Sequence, residues 1–482
     1  MNTLTLAWIT LPFFVGFLIY LVPRLDRHLA LGTALASTGY ATLLLFSPTP
    51  HPLKLLDNFG VTLLVDSLTG FFVLTNALVT VGVIIYCWQT GKTAFFYGQA
   101  IILHGSVNAA FAATDFISLY VALEVLSIAA FLLIAYPRSD RSLWVGLRYL
   151  FISNVAMLFY LIGAVLVYQA SHSFNFAGLR EAPPEACALI FLGLLVKGGI
   201  FVSGLWLPLT HSESESPASA LMSGFVVKAG VLPLVRCALL VGELDPIIRA
   251  FGVGTALLGV SYAMFEKDTK RMLAFHTVSQ LGFILAAPEV GGFYALTHGL
   301  VKSSLFLIAG ALPSRSFKEL HQQPISTPLW IALVAASFSI SGFPMLSGFG
   351  AKILTMKNLL PWQVIGMNLA ALGTAVSFAK FIFLPHQGVN KPEKPGQVNR
   401  GFWIAVTFLI TGLLAANLVY IDAYTLENTV KPLVTIALGW LLYWLVFRRL
   451  SVKLPRFFEQ FEQLMGMMSL VLVFLFWAVF TP

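Results

Sequence analysis

Residues 192–228 read LGLLVKGGIFVSGLWLPLTHSESESPASALMSGFVVK. Lys197 and Lys228 each sit inside an apolar run long enough to cross a bilayer. Gly198, Gly199, Gly204 and Pro208 follow the first lysine, and a short polar turn and Pro217 precede the second. A charge at the bilayer centre costs about 3 kcal/mol on insertion scales. Two lysines at that depth, beside helix-breaking residues, imply a task for the charges. Movement of protons or cations across a membrane is the chemistry they fit.

The composition around this stretch agrees. Hydrophobic residues make up 58% of the 482-residue chain and charged residues only 10%, which excludes a soluble class. A spanning helix takes about 20 apolar residues, and that ruler gives about sixteen predicted spans. They cover residues 5–22, 29–46, 61–88, 96–113, 116–136, 145–169, 184–208, 217–241, 247–265, 271–287, 291–312, 327–355, 363–385, 402–421, 430–447 and 464–480. The fold class is therefore an all-α polytopic membrane protein of about 14–16 transmembrane helices. The first apolar run has no basic stretch ahead of it and no small-residue cleavage site, so it reads as a retained helix rather than a signal peptide.

The net charge of +8 does not point to nucleic acid, because the basic residues fall in alternate loops rather than on one soluble face. The first loop holds Arg24 and Arg27, the fifth Arg138 and Arg141, and the ninth Lys267, Lys270 and Arg271. The eleventh holds Arg315 and Lys318, the thirteenth Lys391, Lys394 and Arg400, and the fifteenth Arg448, Arg449, Lys453 and Arg456. The positive-inside rule places these loops in the cytoplasm and both termini outside. Cys87, Cys187 and Cys237 stand alone in apolar runs, so neither a zinc nor an iron–sulfur site is expected. No haem-attachment pattern and no phosphate-cradling glycine loop occurs, so no cofactor is expected either. No loop is long enough for a soluble catalytic domain, the longest running from Gln387 to Trp403. The chain reads as a single membrane domain over residues 1–482.

Ionisable residues inside the predicted spans narrow the reading. Asp66, near the outer start of the third span, is an interfacial helix cap or a functional carboxylate. His104 reads as a packing histidine. Glu124 lies mid-way along the fifth span, in SLYVALEVLSIAAF, with no charge within eight residues on either side. Desolvation disfavours its charged form, so it needs a cationic partner or takes up protons itself. Arg148 sits near the interface, where snorkelling is the default. His298 and Lys302 are four apart, which puts both on one helix face as relay candidates. His276 and Ser279 open the tenth span. Lys352 follows Gly342, Pro344, Gly348 and Gly350, and Lys380 lies in the next span nearer the cytoplasmic end, where snorkelling competes with function.

The breaks and charges repeat. Span 7 carries a lysine and a Gly/Pro break and span 8 a lysine; five spans later, span 12 carries a lysine and a Gly/Pro break and span 13 a lysine. An odd offset inverts orientation, so spans 4–8 and 9–13 form two inverted five-helix repeats with broken helices 7 and 12. The organisation is then three N-terminal helices (1–95), a first repeat (96–241), a second repeat (246–385) and C-terminal helices (402–482).

Over residues 60–385 the chain resembles the antiporter-like membrane subunits shared by Mrp-type Na+/H+ antiporters and respiratory complex I. The matching pieces are VDSLTGFF, the Glu124 helix, RYLFIS, Lys197 through WLP, SPASALMSGFVVKAG, DTKRMLAFHTVSQLG, THGLVKSSLF and SGFPMLSGFGAK. The resemblance implies that Glu124 pairs with Lys197. It also implies a line of Lys and His residues across the membrane centre, here Lys197, Lys228, His298, Lys302 and Lys352, with His276 and Lys380 as further candidates. It implies other membrane subunits as partners, H+ and Na+ as cargo, and a bacterial-type plasma or thylakoid membrane. The chain departs from the family where Gly204 replaces a frequent His and Leu209 a frequent Asp, and His276 stands where Ser is common. The D-type branch of the Mrp antiporters fits best and complex I-type subunits follow; a transport-inactive scaffold is disfavoured by the intact lysine set. Any enzyme standing would come only through a quinone-reducing complex, since the chain itself carries no redox or catalytic motif. The helices after about residue 430 exceed the fourteen expected, and the chain has no counterpart of the lateral-helix extension of the largest members.

Overall fold

Long apolar runs punctuated by caps and prolines leave the backbone one way to satisfy its polar groups in hydrocarbon, which is to coil into helices. The computed structural model describes residues 2–47, 49–56, 60–388, 398–450, 452 and 454–480. Lys391, Lys394 and Lys453 lie outside the described residues. The N-terminal helices are α1 (Asn2–Leu21), α2 (Asp26–Phe46) and α3 (Ser67–Cys87). They are followed by α4 (Ala94–Ala112), α5 (Phe116–Ile134), α6 (Asp140–Ser171), α7 (Pro184–Gly198), α8 (Leu207–Glu213), α9 (Ser216–Leu221) and α10 (Lys228–Leu240). Next come α11 (Asp245–Phe265), α12 (Thr269–Ala286), α13 (Gly291–Ala311), the single turn α14 (Phe317–Leu320), α15 (Thr327–Ser341), α16 (Ser347–Lys357) and α17 (Val364–Ile382). α18 (Arg400–Asn417), α19 (Leu426–Leu442) and α20 (Phe461–Phe480) complete the chain.

Among the described residues, twelve helices are long and apolar enough to cross a membrane. α7 and the segment Phe201–Glu213, bent by 41°, form one further span. The protein is an integral membrane protein. α4 and α12 are more polar, and their polar side chains are buried by neighbouring helices. His104 is fully satisfied by Ser37, Thr80 and Asn108, as expected of a packing histidine.

Two stretches of the chain share local details. α7 and α15 each have 15 residues, begin with proline in the first turn, and end on a left-handed glycine, Gly199 (φ 67°) and Gly342 (φ 83°). The same end motif closes both: Gly199 and Ile200 donate to Val196 and Leu195, and Gly342 and Phe343 donate to Ser339 and Phe338. A second correspondence lies in the main chain. Asp115 caps α5 by accepting from Ser118 N, and the strand-like residues beside it exchange bonds with the loop before α7: Phe116 N donates to Phe174 O and Phe176 N to Thr114 O. Asp268 caps α12 by accepting from Arg271 N, and there Thr269 N donates to Arg315 O and Phe317 N to Lys267 O.

Other details depart from expectation. The third span begins at Ser67, not 61, because Thr62–Val65 pair as a strand (β2) with His51–Lys54 (β1). Arg148 does not snorkel. It is 4% exposed and donates from Nη2 to the carbonyl of Glu459. Glu459 precedes α20, and its carboxylate accepts two bonds from Arg271 Nη2, at 2.6 and 2.9 Å. Arg271 also holds Glu266 at 3.2 Å. Burial pushes the Glu266 carboxyl up, but Arg271 and the N–H groups of Lys267 and Asp268 outweigh it and hold it below the ordinary carboxylate value. These bonds anchor the segment ahead of α20, which runs along α7 and the 3₁₀ turn Phe201–Gly204.

Removing one partner of a buried ion pair costs about 3–5 kcal/mol. Arg271→Ala is therefore expected to lower the detergent melting temperature well beyond Glu459→Gln, which leaves Arg271 its bond to Glu266. Equal melting of Arg271→Ala and the parent chain would refute the anchoring role. Because the Glu266 value is depressed, its contribution is present above the unfolded value of about 4.5 and is lost as pH falls below it. Acid scans should show that loss in the parent and a reduced one in Glu266→Gln.

Candidate functional site

α5 presents Glu124 on a face that is only partly covered, and its side chain is 25% exposed. α7 ends one turn after Leu194 because Gly199 takes the left-handed conformation, so Lys197 falls in the last helical turn. The chain re-forms as the 3₁₀ turn and α8, and Trp206 Nε1 donates at 2.8 Å to the Val196 carbonyl, which also accepts from Gly199 N. An ammonium has three donors. Two of those of Lys197 go to Ser127 Oγ and to the Leu123 carbonyl at 3.2 Å, and Glu124 Oε1 stands 3.5 Å away as an ion-pair partner with no hydrogen bond of its own. Ser127 is three residues from Glu124 on the same helix; that spacing is its one signal, and a lone serine in an apolar run is easily passed over. The 3.5 Å ion pair is longer than a tight charge-assisted bond.

α7 and α10 cross where a side chain could not fit: a Cβ on Gly230 would collide with the backbone nitrogen of Gly198. Lys228 opens α10 directly after a π-helical turn, Met222–Val226, and its ammonium folds back onto the carbonyls of Gly224 and, at 3.2 Å, Ser223. α13 closes on that turn through Gly299, where a Cβ would lie 2.9 Å from Gly224 O. This approach sets His298 and Lys302 beside Lys228. His298 interacts electrostatically with Lys228, Lys302 and His276, and His276 in turn with Lys302, Lys352 and Lys380. Lys302 donates to the Leu273 carbonyl of α12. The Lys352 ammonium lies 5.6 Å from the Phe283 ring centroid, and its stem packs on Gly342.

Both ring nitrogens of His276 and His298, and the ammonium of Lys352, are buried without a protein hydrogen-bond partner. His211 follows the break in α8 and interacts with Lys302, Lys270 and Lys228, so it stands at the edge of the same cluster. Lys380 is placed differently: half-buried, it donates to the carbonyls of Ala263 (3.2 Å) and Glu266 (2.9 Å) at the end of α11. Asp66 caps α3 and is held bidentately by Arg236 at 3.0 and 3.1 Å. Among the described residues no group of His, Cys, Asp or Glu is arranged to hold a metal.

Paired helix breaks with lysines buried beside them define a membrane component of the ion-translocating kind. The family profile described as "NADH:quinone oxidoreductase/Mrp antiporter, TM" matches residues 113–377, and the chain belongs to this family. It is 29% identical over 429 residues to the N subunit of the NADH-quinone oxidoreductase of Desulforudis audaxviator, covering 79% of this chain and 85% of that one. It is 27% identical over 396 residues to the D subunit of the Na(+)/H(+) antiporter of Alkalihalophilus pseudofirmus, covering 73% and 80%. The Mrp complex from Dietzia sp. contains a chain of the same fold, with a TM-score of 0.74, 20% identity, and coverage of 96% of this chain and 99% of that one.

The left-handed breaks carry a direct test. An L-residue in that conformation costs about 1–2 kcal/mol, and a Cβ on Gly342 would also lie 2.8 Å from Lys352 Cδ. Gly342→Ala should lower thermal stability, whereas Gly466→Ala in α20, with nothing within 4 Å of the added atom, should not.

Proposed function

We propose that the chain moves protons through a relay that begins at the Glu124–Lys197 pair. The relay continues through Lys228, His298, Lys302 and His276 to Lys352, with Lys380 at its margin. The observation that carries this is the loose 3.5 Å pair at the end of a broken helix. At an effective dielectric near 20, charges about 4 Å apart attract by roughly 4 kcal/mol. Closing the pair therefore favours the charged lysine, and loosening it favours release of the proton to the next member. Imidazoles without protein partners can donate at one nitrogen and accept at the other, which suits His298 and His276 to pass a proton between ammonium groups, with water bridging the gaps.

The assembly this reading favours is an Mrp-type monovalent cation/proton antiporter, in which the chain takes the D-type position among other membrane subunits. Relatives named for both antiporter and quinone oxidoreductase complexes support a second reading, a proton-pumping component of a complex I-type assembly. The organisation into N-terminal helices, two repeats and C-terminal helices within one membrane domain belongs to this proposal, as does a cytoplasmic location for the basic loops.

In proteoliposomes or inverted vesicles holding the native assembly, Glu124→Ala and Lys197→Ala should each cut proton movement by at least tenfold without loss of assembled protein. Retained transport in both variants would sink the relay. Co-purified flavin and iron–sulfur subunits would select the complex I-type assembly over the antiporter.

A further inference from the structure

A cavity of about 690 Å³ opens where the basic loops meet the end of α19. Lys267, Lys318, His321, Lys380, Arg448 and Arg449 line it. Its acidic member, Glu266, is held by Arg271 at 3.2 Å and Arg456 at 3.7 Å, so the field inside the cavity is strongly positive. The other wall is aromatic: Phe383 and Tyr443 stack with centroids 6.0 Å apart and planes 2° apart. Lys380 occupies the inner side, joined to the end of α11 through the Ala263 and Glu266 carbonyls, while Lys318, Arg448 and Arg449 are exposed. Beside this charge, α19 and the turn after it present exposed Leu438, Leu441 and Leu445, an apolar surface continuous with the bilayer-facing flank. Basic pockets between spanning helices at the interface recognise acidic headgroups. A guanidinium or ammonium cluster matches a phosphate through charge-assisted bonds, and the flanking leucines match acyl chains.

We infer that this cavity binds the phosphate headgroup of an anionic phospholipid, seated over Lys380 and gripped by Lys318, Arg448 and Arg449. Soluble phosphate offers the same headgroup chemistry without the chains, so the two sources must be separated. The site exists because the turn after α19 brings Tyr443, Arg448 and Arg449 against Phe383 at the end of α17.

The full chain, purified in detergent, is followed by native mass spectrometry after exposure to phosphatidylglycerol or phosphatidylcholine. The parent chain should retain phosphatidylglycerol selectively. The Lys318→Gln/Arg448→Gln/Arg449→Gln variant should retain it about a hundredfold less well, since each basic residue near the surface is worth about 1 kcal/mol and 1.4 kcal/mol is tenfold. Lys318→Glu alone, on an exposed position, keeps the test open if the triple variant does not fold. Equal retention of both lipids by the parent, or undiminished retention by both variants, would overturn the site. Displacement of phosphatidylglycerol by millimolar inorganic phosphate would overturn the lipid and assign the cavity to soluble phosphate; resistance to it supports the lipid. None of these readouts depends on transport.

Discussion

An ammonium group taken out of water must find its partners within the protein, and this constraint shapes the whole bundle. Lys197, Lys228 and Lys302 meet it, whereas the Lys352 ammonium is buried without a protein hydrogen-bond partner. Lys197 donates to a serine and a carbonyl and faces a carboxylate at ion-pair distance. Lys228 and Lys302 use main-chain carbonyls, and the ones available to Lys228 belong to a π-helical turn. Carbonyls partly solvate a charge without cancelling it, so these lysines are held but not neutralised. That distinction separates the centre of the molecule from its basic face, where Arg271 is fixed between Glu266 and Glu459. One region holds its charges on carbonyls, and the other locks them in ion pairs.

The locked region also explains the two helices beyond the expected fourteen. α20 lies along α7 and its 3₁₀ turn, covering a break whose irregular backbone cannot face lipid. α19 packs instead on α17, through Val376, Ala379 and Tyr443. The C-terminal segment thus reaches both broken-helix neighbourhoods, and Arg148 of α6 and Arg271 of α12 tie its crossing point to the bundle.

Much of this was legible in the chain because membrane insertion imposes a coarse, strong code. Apolar length marked the spans, and glycine and proline beside Lys197 and Lys352 marked the breaks. What escaped depended on tertiary distance. Arg148 looked like a snorkelling residue because its partner is 311 positions away in the sequence. Glu459 had no meaning until Arg271 met it, and Ser127 none until Lys197 did. Strand β2 was absorbed into a predicted helix because Thr62–Val65 is apolar enough to pass for one. The twin bridges at Asp115 and Asp268 are main-chain pairings, which leave no trace in side-chain pattern.

Those twin bridges have a mechanical consequence. The first pins the loop before α7 to the foot of α5. Lys197 stands thirteen residues beyond the start of α7, about 20 Å up the helix at 1.5 Å per residue. A tilt of α7 by about 6° about that point would shift the lysine by about 2 Å. That displacement exceeds the margin between a tight charge-assisted bond and the 3.5 Å Glu124–Lys197 contact. The second bridge ties the start of α12 to the loop before α15 in the same way.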